Sequence, residues 1–119
     1  MKPGKDIYGD GRMVKTLEPH AFDIELQSSD EPFLVAFLKR NERFREQSQA
    51  LDEASKDYED KVRCFLYDAD YLDTAMDRFM VKGTPTFLLF SDGCEVDRLI
   101  GESDRETLDE FIQNSIVKR

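Results

Sequence analysis

The chain has 119 residues, of which 39% are hydrophobic, enough to fill one modest core, so a single domain is the expectation. Its 26 Asp and Glu against 17 Lys and Arg give a formal net charge of -9, which argues against nucleic acid or an anionic membrane surface as a partner of the molecule as a whole. The longest apolar run, Phe33 to Leu38, is far shorter than the ~18 residues of a spanning helix, and two cysteines with a lone His20 cannot fill the four positions of a zinc site. The expectation is a cytoplasmic monomer with no metal and no other cofactor.

Residues 1–12 (MKPGKDIYGDGR) hold Pro3, Gly4, Gly9 and Gly11 without periodicity, which predicts a disordered tail ahead of a domain spanning 13–119. In the next segment Met13, Lys15 and Leu17 alternate loosely as a short strand. "HAFDIELQSSD" follows as a short helix carrying Phe22, Ile24 and Leu26 and broken at Ser28-Ser29-Asp30. "PFLVAFL" is apolar on both faces, the pattern of a central strand covered by helices on either side. From Arg43 to Tyr58 the positions Phe44, Leu51, Ala54 and Tyr58 form an amphipathic stripe, with Asn41 as its expected cap and Glu42 in its first turn.

Strand character returns in "KVRCFLYDAD". Asp70 is then the expected cap of a helix with Leu72, Ala75, Met76 and Phe79 on one face. In "TPTFLLFSDGCEVDRLIG" the Asp92-Gly93 pair between apolar runs predicts a hairpin. Ser103-Asp104-Arg105-Glu106 reads as a capping box opening a last helix with Leu108, Phe111 and Ile112 inward. Helices alternating with strands imply parallel pairs joined by crossovers, finished by an antiparallel hairpin.

At this length that order resembles the thioredoxin family. The resemblance is carried by "VKGTPTFLLFSDGCEV", similar to the family's Gly-X-Pro-Thr followed by strand, turn and strand, and by "LDEASKDYEDKV", similar to the end of its long second helix. It runs from about Met13 to Val117. The implied fold is a three-layer α/β/α sandwich around a mixed central sheet with a C-terminal antiparallel hairpin. The family's Cys-X-X-Cys pair belongs at the strand-to-helix junction, where this chain reads "LKRNERFREQ". In one register the two positions are Asn41 and Phe44, in the other Glu42 and Arg45. Neither holds the thiolate that disulfide exchange requires. The buried aspartate and lysine that accompany the pair in the family are matched here by Val35 or Ala36 and by Leu66.

Cys64 and Cys94 are expected on strands separated by at least one other, beyond the ~7 Å Cα limit of a disulfide. Cys64 reads as a small buried hydrophobe. Cys94 is either an inert surface thiol or an exposed reactive one, although Asp92, Glu95 and Asp97 oppose its ionisation. The resemblance implies a cis Pro85 and gives Thr84 the role of presenting backbone groups to an extended peptide. Pro85 otherwise only shapes the start of its strand.

The degenerate junction, Asn41, Glu42, Arg43, Phe44 and Arg45, lies beside Lys39 and Arg40. Residues 39–45 therefore carry +3 in a chain whose remainder carries -12. Cations beside a helix N-terminus oppose its dipole, so helix stability does not explain them. Lys39, Arg40, Arg43 and Arg45 are either a solvated remnant of a lost site or a surface for an anion or an acidic peptide, with the Phe44 ring among them. Three functions compete. The first is a redox-inactive, chaperone-like adaptor that binds protein or peptide. The second is a thiol oxidoreductase working through Cys94, or a glutathione-dependent enzyme. In the third, only the fold survives.

Overall fold

A computed structural model describes residues 14–28, 30–58 and 61–118. The expected tail, residues 1–12, lies outside them, as does Met13. The elements in order are β1 (Lys15–Leu17), α1 (Pro19–Ser28), β2 (Phe33–Phe37), α2 (Phe44–Lys56), β3 (Arg63–Tyr67), a 3-10 turn (Ala69–Tyr71), α3 (Leu72–Phe79), β4 (Thr86–Ser91), β5 (Cys94–Ile100) and α4 (Arg105–Lys118). Five strands form one sheet in the order β1-β3-β2-β4-β5. β1, β3 and β2 are mutually parallel, while β4 runs antiparallel to both β2 and β5.

The unbroken apolar run of β2 is explained by what covers it. Leu34, Ala36 and Leu38 enter a cluster with Leu51 and Ala54 of α2 and Leu108 and Ile112 of α4. The alternate residues Phe33, Val35 and Phe37 pack with Phe22 of α1 and with Leu72 and Ala75 of α3. A strand pointing alternate side chains into two buried layers must be apolar at every position, and β2 is buried along its whole length. β4 repeats the arrangement, with Phe87 and Leu89 on one face and Leu88 and Phe90 on the other. On the α1–α3 face, Phe22 meets Phe33, Tyr67, Phe79 and Phe90 edge to face at centroid distances of 5.3–6.2 Å, the geometry the ring quadrupole favours.

The expected turn is present, with Asp92 at φ 54° and Gly93 at φ 80°, the left-handed pair a two-residue hairpin needs. Further along the hairpin Leu89 faces Asp97 and Phe90 faces Glu95, so Val96 is the extra residue of a bulge. Arg98 of β5 grips Glu95 through Nε and Nη2 at 2.6 and 2.8 Å and donates from Nη2 to the Phe79 carbonyl at 2.8 Å. That fork fastens the C-terminus of α3 to the hairpin.

Four sequence expectations are corrected. Ile24 does not share the buried face of α1 and is 52% exposed, because residues two apart on a helix point in nearly opposite directions. Asn41 does not cap α2. Its Oδ1 accepts from the Arg43 amide at 2.9 Å, shaping the turn before the helix, and Arg43 occupies the N-cap position without a side-chain bond. Asp70 does not cap α3: Tyr71 occupies its N-cap position without a side-chain bond, and Asp68 caps the 3-10 turn before it, taking the Asp70 amide at 2.9 Å. Asp104 rather than Ser103 caps α4, through the Thr107 amide at 2.9 Å, and that bond holds the Asp104 carboxyl below its ordinary range.

Candidate functional site

Three distant chain segments meet at one end of the sheet. The first is the β2–α2 junction, residues 38–47, which leaves the sheet after Phe37. The second is Gly83–Pro85, ahead of β4, held alongside because Phe37 pairs with Thr86. The third is Gly101–Ser103, whose Gly101 amide donates to the Pro85 carbonyl at 2.9 Å. The Thr84-Pro85 peptide is cis. Thr86 turns its hydroxyl back to the Gly83 carbonyl at 2.7 Å and closes the local turn. Thr84 itself is half-buried, and among the described residues its backbone N–H and C=O have no hydrogen-bond partner.

The segments enclose a small pocket of about 50 Å³, lined among others by Leu38, Phe44, Gln47, Thr84, Pro85 and Glu102. Phe44 is half-buried. Its ring packs against the cluster beneath α2 and α4 while also forming a wall of the pocket, so it is neither a free surface ring nor a core residue alone. Gln47 is buried below it and accepts the Ser103 amide at 3.0 Å, joining α2 to the segment before α4. Behind the pocket, between α2 and residues 102–105, runs an open groove of about 670 Å³. Gln47 and Glu102 were not singled out from the sequence. Gln47 had a signal, because it stands three residues after Phe44 and four before Leu51, inside the apolar stripe.

The four cations do not form one patch. Arg40 turns away to Asp70 at 2.6 Å, with Asp68 at 3.8 Å, and the Asp70 bond raises its pKa further. Arg43 lies between Glu46 at 3.1 Å and Glu102 at 3.4 Å. Lys39 and Arg45 are exposed and form no ion pair with any described residue. A run of positive charge in the sequence is thus interleaved in space with carboxylates that arrive from positions 68, 70 and 102.

Neither sulfur reaches this site. Cys64 is buried near the start of β3, opposite Leu34, and burial pushes its thiol up to about 12. Cys94 opens β5 and Ile100, at the site end, closes it, so at ~3.3 Å per residue Cys94 is on the order of 20 Å away. β2 and β4 lie between the two cysteine strands, and both thiols are free. Among the described residues no group of His, Cys, Asp and Glu is placed to hold a metal, and no helix is long and apolar enough to cross a membrane.

A mixed five-stranded sheet between two pairs of helices, with a cis-proline facing the β2–α2 junction, defines the thioredoxin fold. The thioredoxin family profile matches residues 13–114, and the chain belongs to that family. It is 29% identical over 105 residues to a thioredoxin of Rickettsia bellii, across 87% of this chain and the whole of that protein. It is 30% identical over 106 residues to the chloroplastic thioredoxin Y2 of Arabidopsis thaliana, across 88% of this chain and 64% of that one. Over 66 residues it is 32% identical to a thioredoxin of Staphylococcus saprophyticus, across 56% of this chain and 64% of the relative.

Proposed function

We propose that this chain is a thioredoxin-family binding module that holds an extended peptide at Thr84-Pro85 and does not catalyse thiol-disulfide exchange. The observation that carries this reading is the unpaired backbone of Thr84, set beside a half-buried Phe44 in a concavity where the sequence places no sulfur. An unpaired N–H and C=O on a half-buried segment is a template for one more strand of backbone pairing, and the neighbouring ring supplies apolar contact. Exchange chemistry needs a thiolate within bonding reach of the bound disulfide. The nearest exposed thiol lies at the other end of β5.

The test titrates a capped nine-residue valine/serine peptide into 15N-labelled protein. Amide signals of Thr84 and of residues 40–45 should move together. In an insulin-reduction assay with dithiothreitol, the protein should add nothing to the background rate. Phe44→Ala should weaken peptide binding by roughly 1–3 kcal/mol. Turnover abolished by Cys94→Ser would overturn the reading in favour of an oxidoreductase, and an absence of shifts at Thr84 would remove the peptide site.

A further inference from the structure

The pocket at Thr84 and the larger groove behind it share three lining residues, Arg43, Gln47 and Glu102. Gln47 is the fixed floor, buried and bonded to the Ser103 amide. Arg43 and Glu102 are different. They come from opposite rims, one from the start of α2 and one from the segment after β5, and approach to 3.4 Å with both side chains about half exposed. Exposed pairs of this kind contribute little and break readily. We propose that the Arg43–Glu102 pair is a strap between the two concavities, and that a bound peptide opens it by placing a lysine or arginine side chain on Glu102. This rests on the peptide-binding reading.

The sign of the ligand charge follows from how the partners are distributed. Arg43 has two carboxylates, since Glu46 contacts the same guanidinium at 3.1 Å. Glu102 has one cation among the described residues, Arg43 itself. A ligand cation that takes Glu102 leaves Arg43 paired with Glu46, so every charge keeps a partner. A ligand carboxylate that takes Arg43 in place of Glu102 strands Glu102 without a cation among the described residues. The groove beyond has the same bias, because Glu42, Glu46, Glu53 and Asp104 line it with Glu102, against Arg43, Arg45 and Arg105. Arg105 is already engaged by Asp57 at 3.0 Å. The run of cations that suggests an acidic partner in the sequence therefore becomes, in space, a site that selects a basic one.

The experiment scans one lysine along the capped nine-residue valine/serine peptide, with matching glutamine and glutamate scans, and measures affinity by fluorescence anisotropy. At one register the lysine peptide should bind the wild type about three- to fivefold more tightly than its glutamine counterpart, and added salt should erase the difference. Glu102→Gln should bring that ratio to one. Arg43→Gln, which frees Glu102, should raise affinity for the lysine peptide about two- to fivefold. A preference for glutamate, or a lysine preference that survives Glu102→Gln, overturns the strap and leaves peptide binding intact. Failure of every peptide to bind and to shift Thr84 overturns both readings.

Discussion

Replacing Gln47 by alanine tests whether one buried hydrogen bond holds the site together. Gln47 and Ser103 are each 5% exposed, and the Ser103 amide has the Gln47 Oε1 at 3.0 Å as its acceptor, across 56 residues of sequence. Alanine leaves that N–H buried without a partner, which costs about 1–3 kcal/mol, more than the net value of an ordinary hydrogen bond. In a domain of this size each kcal/mol lowers the melting temperature by about 4 °C. The matched control is Gln49→Ala, two residues on, where an exposed side chain gives up a 3.3 Å bond to Glu53 and the change should stay within about 0.5 kcal/mol. Urea unfolding followed by circular dichroism gives both values, and hydrogen exchange at the Ser103 amide should accelerate in Gln47→Ala alone. Equal stabilities of the two variants, or an unchanged Ser103 amide, would show that the bond does not tie α2 to α4.

The Cys64 thiol supplies a pH signature. Below pH 9 both states keep the proton, but from there to about 12 only the unfolded chain loses it, so stability should fall by about 1.4 kcal/mol per pH unit relative to Cys64→Ala. Parallel unfolding curves for the two proteins between pH 8 and 10.5 would refute this. In the native state a thiol reagent should modify one cysteine per chain, Cys94, with Cys64 reacting only on unfolding. Arg98→Lys should cost about 1 kcal/mol and speed amide exchange in the last turn of α3, since one ammonium cannot replace a guanidinium shared between Glu95 and the Phe79 carbonyl. Unchanged exchange at Met80 and Val81, whose amides bond to Asp77 and Met76, would count against that role.

Much of the fold was legible because its physical causes are local. A run apolar on both faces has few places to go except between two layers, and Asp92-Gly93 supplies the left-handed geometry a two-residue turn demands. Helix starts were legible only to within a residue or two. At each of them several acceptors stand together, such as Asp68 with Asp70 or Ser103 with Asp104. Backbone conformation decides which one caps, as with Asp68 at φ -62° and ψ 120°. The site was half legible. Thr84, Pro85 and Phe44 were readable through the family resemblance, and the structure brings them together. Glu102 and the acids around Arg40 were not, because proximity across 30 to 60 residues leaves no mark in a local pattern of charge.

The bulge at Val96 has a bearing on how these molecules behave when crowded. A β-sheet ends in rows of amides and carbonyls that can seed growth into fibres if another chain lies down along them. Here one margin, β1, is three residues long, too short to template much. The other, β5, is seven residues long and carries the irregularity at Val96, with Glu95, Asp97 and Arg98 around it. A strand approaching from outside finds its register interrupted in the middle and charged side chains on both sides of the interruption. Among the described residues the sheet has five strands, and the same residue that kinks the last of them works against edge-to-edge pairing.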